Sequence, residues 1–419
     1  MIVGRLALKS LANRWPTALL TVFGIALSVM LLLGVEKVRN GARQSFTDTI
    51  SGTDLIVGAR TGEVQLLLYS IFRIGDATNT IAWKSYSEIA AFPEIAWIVP
   101  IALGDSHRGF RVMGTNGAYF EHYRFRRGQS LTFAAGGPFA DLFDAVLGAD
   151  VAAALGYRLG DPIVIGHGIG STSFAPHEDK PFRVAGILTK TGTPVDRTVH
   201  VGLDGIEAIH IDWQSGARIP GQGVGAEQVR GMDLTPDAVT AAMIGLHSRL
   251  DALRLQRLIN TYGEEPLSAI LPGAALQQLW SLVGTAETAL AAVSFMVVLT
   301  AILGMVTTIL STLNERRREM AILRSVGARP ATILGLLTAE AGILTAAGVT
   351  LGGALLYVVL WFARPIVDSR YGLYLPIEAP AVDELASLAA IVVGGVLAGL
   401  VPALRAFRLS LADGMIVKT

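Results

Sequence analysis

Four long apolar runs divide this chain, and a stretch of different texture separates the first from the second. They cover residues 17–35, 288–313, 341–363 and 385–404 and contain no charged residue. Each meets the length of about 20 residues that a helix needs to cross the hydrocarbon of a bilayer. A further apolar stretch, 330–339, extends the third run backwards, with Glu340 between the two. The pattern predicts transmembrane helices at 17–36, 285–313, 331–363 and 385–404. The first run is longer than the 7–15 residues usual in a cleaved signal peptide, and no clear small-x-small site follows it. A retained signal anchor is expected.

Residues 37–284 contain no other run of membrane length. Short strand-like runs at 54–57, 97–102, 110–113, 162–165, 182–188 and 198–201 are bounded by Gly, Pro and Asp. Helical patterns fall at 37–49, 145–155 and 250–261, and the Gly-rich region 220–228 reads as a loop. A mixed α/β domain in one or two lobes is expected, large enough to hold its own core. Residues 54–72 are unusually apolar, which fits burial in that core or an element lying on a membrane surface.

Flanking charges orient the spans. The segment 1–16, the 314–330 connection and the tail 405–419 are basic, whereas 364–384 holds Asp368, Glu378, Asp383 and Glu384 against Arg364 and Arg370. Basic connections stay in the cytoplasm, so both termini are predicted inside and 37–284 outside. Composition agrees: 52% of residues are hydrophobic and only 16% charged, against roughly 25% charged in soluble domains. Net charge is zero, which leaves no overall electrostatic case for a nucleic-acid partner. Cysteine is absent, excluding disulfides, thiolate metal sites and cysteine nucleophiles.

The segment 314–330 is the most informative part of the chain. Five arginines, at 316, 317, 318, 324 and 329, crowd a short stretch whose Met320, Ile322, Leu323 and Val326 give it an apolar side. Gly327 predicts a helix stop and Pro330 the start of the next helix. An amphipathic cytoplasmic helix of this kind offers a face to a soluble partner. The order Glu315-Arg316, Glu319, Leu323-Arg324, Gly327-Ala328 resembles the coupling segment of MacB/FtsX-type ABC transporter permeases. Pro402-Ala403 with Arg405-Ala406 is similar to the box after that family's last helix. Weaker matches run in order through Leu147-Gly148-Ala149, Leu155-Gly156, Gly160-Asp161 and Val184-Ala185-Gly186-Ile187.

The resemblance implies a four-helix membrane domain, arranged 1 + 3, with a large α/β domain of the periplasmic core type. It also implies a bacterial inner-membrane location. Glu315, Arg316, Arg318, Glu319, Met320, Leu323, Arg324 and Gly327 would couple to a cytoplasmic ABC ATPase, with Pro402 and Arg405 in the terminal box. ATP and Mg belong to that ATPase and no cofactor to this chain. A second permease copy or sister permease, membrane lipid, and an outside adaptor or lipoprotein complete the implied partners. Relatives either transport amphiphilic, peptide or lipoprotein-type substrates or regulate an outside enzyme such as a cell-wall hydrolase. The length of 37–284 favours transport.

Other chemistry is sparse. No Gly-x-x-x-x-Gly-Lys-Ser/Thr phosphate loop occurs, and Gly-rich 167–171 lacks its lysine, so the ATPase is expected on a separate polypeptide. No Gly-x-Ser-x-Gly elbow occurs either, and no bond chemistry is expected. The seven histidines lie outside the spans; His177-Glu178-Asp179 and His200/His210 lack the i, i+4 spacing of a helical zinc site. Surface or loop histidines are expected, and no metal. Glu340 reads as an interface-level carboxylate or as the partner of a basic residue near the coupling segment. Gly348/Gly352 and Gly395/Gly399 are spaced for close helix packing.

Overall fold

The computed structural model describes residues 2–126, 128–168, 177–214, 217–218, 224–315, 317–371 and 377–408. It divides into a helical unit (1–41, 284–366 and 375–419) and an α/β unit (42–283 with 367–374). In chain order, α1 (Ile2–Asn13) and α2 (Trp15–Thr49) precede β1 (Leu55–Ala59), α3 (Glu63–Ser70), β2 (Ile95–His107) and β3 (Phe110–Thr115). Next come β4 (Phe133–Gly136), β5 (Asp144–Leu147), α4 (Ala149–Leu155), β6 (Pro162–Ile163), β7 (Gly166–His167) and β8 (Phe182–Leu188). The α/β unit closes with β9 (Thr198–Gly202), α5 (Leu203–His210), β10 (Ala241–Leu246), α6 (Ala252–Asn260) and β11 (Leu267–Ile270). Four helices follow: α7 (Pro272–Glu315), α8 (Arg317–Ser325), α9 (Pro330–Tyr371) and α10 (Val382–Arg408).

Four of the described helices, α2, α7, α9 and α10, are long and apolar enough to cross a membrane. Each extends past the apolar run that marks it in the sequence. Small residues bring them together. A Cβ at Gly352 would stand 2.5 Å from the Ala26 carbonyl oxygen, so α9 lies hard against α2. Gly395 and Gly399 of α10 likewise meet Thr345 and Ala341 of α9. Both glycine pairs therefore serve packing inside the chain.

In the α/β unit, eleven strands form one mixed sheet. Nine run in the order β11-β1-β10-β2-β3-β9-β5-β8-β4, with β7 added to β2 and β6 to β8. The strands β1, β5 and β9 are buried along their whole length; β1 and the Ala145–Leu147 part of β5 accordingly read as unbroken apolar runs, whereas β9 buries Thr198 and His200 as well. Long β2 joins the two halves, pairing with β10 through Ile95–Ile101 and with β3 through Ala102–His107. The apolar segment 54–72 is resolved as core: β1 is buried, and Leu66, Leu67, Tyr69, Ile71 and Phe72 pack under the sheet. The helical pattern at 145–155 is corrected. Residues Asp144–Leu147 form β5, parallel to β8, and only Ala149–Leu155 is helical.

Candidate functional site

In the helical unit, α8 is the connection between the second and third spans. It ends on Gly327, whose φ of +99° lets Ala328 N–H reach back to the Leu323 carbonyl oxygen at 2.9 Å. That is the closing bond of a Schellman motif, and α9 then starts on Pro330. Met320 is buried and Leu323 half-buried, whereas Glu319 is exposed. The large apolar side chains exposed here are Ile322 on the helix and Val326 just past its end, 55% and 81% exposed. Any partner docking here meets these two rather than Met320. Arg324 turns the other way, donating to the carbonyl oxygens of Ala406 and Phe407 in the last turn of α10. Arg405 in that turn is exposed, and Pro402 one turn earlier is buried. Arg316 and the side chains of Glu315 and Arg318 lie outside the described residues.

Glu340 is buried within the helical unit. With Arg14, Ser10, Thr17, Thr21, Thr308 and Thr312 it lines a cavity of about 40 Å³. A carboxylate in an apolar span is costly unless it faces polar groups, and here hydroxyls and a guanidinium share its cavity. Arg14, between α1 and α2, is the cation among the described residues that line this cavity with it.

In the α/β unit, sequence spacing missed one arrangement. His167, His177 and His210 come together, their ring nitrogens within 4.8 Å of one another. Antiparallel pairing of β7 with β2 sets His167 opposite Asp105, and His167 Nδ1 lies 3.0 Å from Asp105 Oδ1. His177, fixed by its backbone N–H to the Ile165 carbonyl oxygen, brings its Nε2 to 3.2 Å from His167 Nε2. His210 ends α5 and stacks on His167 at 4.7 Å between ring centroids, with Nε2 3.6 Å from Asp105 Oδ1. Burial pushes the His177 imidazole down to about 4, and the neighbouring imidazoles add to this. Burial alone would raise the Asp105 carboxyl, but His167 and His210 override it and hold it below the usual carboxylate range. These three are thus not scattered surface histidines. His200, offered above beside His210, lies elsewhere, fully buried against Tyr119 and Phe120.

Four membrane-length helices, a short helix of basic sequence between the second and third, and a large α/β unit make the plan of a multi-span membrane protein. The MacB-like periplasmic core domain matches residues 18–231, about half of the chain, and the FtsX-like permease C-terminal matches 291–411. The chain belongs to the MacB/FtsX-type permease family. It is 25% identical to the macrolide export ATP-binding/permease protein MacB of Nitrobacter winogradskyi, over 97% of this chain and 58% of that protein. The periplasmic region of MacB from Actinobacillus actinomycetemcomitans aligns with 56% of this chain and 98% of its own, at 11% identity and a TM-score of 0.34. The extracellular domain of the noncanonic ABC-type transporter YknZ from Gram-positive bacteria aligns with 52% and 99%, at 12% and 0.30.

Proposed function

We propose that this chain is the permease subunit of an ABC transporter. ATP hydrolysis by a cytoplasmic ATPase drives motion of its outside domain, which acts on an amphiphilic, peptide or lipoprotein-type substrate. The observation that carries this reading is α8: a short basic helix between two spans, with Ile322 and Val326 bare beside exposed Glu319. Exposed apolar side chains rimmed by charge are what a protein partner covers. The basic termini and the basic 314–330 connection support a cytoplasmic position for this helix. No phosphate loop occurs in these 419 residues, so the ATPase lies outside them, and a separate subunit is our reading.

Only 17–39% of each apolar helix window is buried within the chain. Four helices so thinly covered support a two-fold pair of permeases, whether identical or sister chains. In such a pair α8 receives force from the ATPase and α2 and α7 carry it outward, so substrate need not pass between the helices.

The test is purification from native membranes under gentle extraction, followed by mass spectrometry. An ABC ATPase at about one copy per permease is expected. The double variant Glu319→Ala/Leu323→Ala should then retain assembly while losing ATPase stimulation. Unchanged stimulation would refute the coupling role. Recovery of the chain alone would refute the ATPase partnership, and a co-purifying hydrolase would favour regulation over transport.

A further inference from the structure

We propose that His167, His177 and His210 form a binding site for a divalent transition-metal ion, zinc foremost, with Asp105 orienting the imidazoles. The site belongs to the α/β unit and does not depend on the transport reading.

Geometry carries the inference. A tetrahedral zinc ion with Zn–N bonds of about 2.0–2.1 Å holds its ligand atoms about 3.3 Å apart. The Nε2 atoms of His167 and His177 stand at 3.2 Å, already the edge of such a shell. All three histidines offer a ligand nitrogen within 4.8 Å of the others, and their ring centroids are 4.7, 4.8 and 5.4 Å apart. Asp105 supplies the second requirement. With His167 Nδ1–H donating to the carboxylate at 3.0 Å, the lone pair falls on Nε2, the atom that faces His177. A carboxylate that fixes the tautomer of a ligating imidazole is the usual outer shell of a zinc site. Third, His210 Nε2 is buried and, with Asp105 Oδ1 at 3.6 Å, makes no hydrogen bond of ordinary length among the described residues. A buried ring nitrogen in that state is poorly satisfied, and a metal ion would relieve it.

The donor set selects the ion. Three neutral imidazoles suit zinc, copper(II) or nickel(II) and are poor ligands for magnesium or calcium, which take oxygen. Asp105 or a water molecule can complete a fourth position. His167 and His210 keep about a third of their side-chain surface in solvent, which gives an ion a way in. The ligands come from the end of β7, the segment before Lys180 and the last residue of α5. A bound ion therefore ties three separate parts of the α/β unit together.

The experiment uses the full chain in detergent, without a polyhistidine tag, stripped by chelator and titrated with zinc chloride against a chromophoric competitor. One zinc per chain with sub-micromolar affinity is expected, and His177→Gln or His210→Gln should weaken it about 100-fold. Asp105→Asn should weaken it about 10- to 100-fold. Exposed His247→Gln should leave it unchanged. Zinc at a hundredfold excess over Kd should raise the melting temperature of the wild type by about 5 °C, and not that of the triad variants. Cobalt(II) loading of the wild type should give the intense visible bands of a tetrahedral shell, which keeps the test decisive where a variant fails to fold. A weak octahedral cobalt spectrum, or zinc retained by a folded triple variant, would overturn the site.

Discussion

Arg324 of α8 donates to the carbonyl oxygens of Ala406 and Phe407 at 3.3 and 3.2 Å. These oxygens belong to the last turn of α10, where helix carbonyls lack partners of their own and the dipole favours a cation. The helix proposed to meet the ATPase is thus tied to the end of the last span by a charged contact. Removing it should loosen α8 rather than unfold the bundle. Arg324→Met is expected to lower permease-stimulated ATPase activity several-fold in a reconstituted complex, with Arg324→Lys intermediate. Equal stimulation by all three proteins would show that the contact is incidental to coupling.

Lys37 of α2, just past its apolar run, pairs with Glu384 in the first turn of α10 at 3.0 Å, with side chains only 14% and 6% exposed. Glu384 also accepts the N–H of Ala381 at 3.2 Å, so the carboxylate caps α10 while binding the cation of another span. Deleting one partner strands the other. Lys37→Met should cost about 3–5 kcal/mol, and Lys37→Met/Glu384→Gln clearly less than the sum of the single changes. Unfolding of the detergent-solubilised chain followed through the double-mutant cycle measures this. Additive costs would mean the two groups do not interact.

The features written locally in the chain were legible. Spans of membrane length are unbroken runs, and Gly327 and Pro330 mark the ends of their helices by backbone conformation alone. The features made by tertiary contact were not. Strand β5, fully buried between β8 and β9, presents in Ala145–Leu147 the same apolar run as a buried helix, so those residues merged with α4. His167, His177 and His210 share no local spacing; β7 pairing, a loop and the end of α5 bring them together. At α8, the sequence groups Met320, Ile322, Leu323 and Val326 as one apolar side. It did not tell which apolar side chains the chain itself covers, and Met320 proved covered where Ile322 and Val326 were not.

Gly352 tests the packing of α9 on α2. A side chain there would collide with the backbone of Ala26, its carbonyl oxygen at 2.5 Å and Cα at 3.1 Å, and with Val29 Cβ at 2.9 Å, none of which can yield without moving the helix. Gly352→Leu should therefore destabilise by more than the 1–3 kcal/mol typical of overpacking. The control is Gly304 in α7, where a Cβ meets nothing within 4 Å among the described residues. Gly304→Leu should be tolerated. Melting temperatures in detergent decide it, and equal losses at the two positions would contradict the packing.

His200 should set part of the acid sensitivity of the α/β unit. It is fully buried, with Nδ1 3.3 Å from the Val146 carbonyl oxygen and its ring between Tyr119 and Phe120. Burial, aided by the positive charge of Arg73, depresses its imidazole to about 3. The fold therefore holds the neutral form, while the unfolded chain takes up a proton near pH 6.5. Below that pH the unfolded state binds more protons, so stability falls as pH drops from about 6.5 towards 3, by up to about 1.4 kcal/mol per unit. Above 6.5 the residue contributes no slope. His200→Phe keeps a ring against the same aromatic neighbours and removes the proton site. Chemical unfolding between pH 7.5 and 4.5 should then show a shallower acid loss for the variant, with the two curves parallel above 6.5. Carboxylates and the other histidines titrate in both proteins and cancel in the difference. Identical slopes down to pH 4.5 would mean that His200 is protonated in the fold, and that the buried ring is not held neutral.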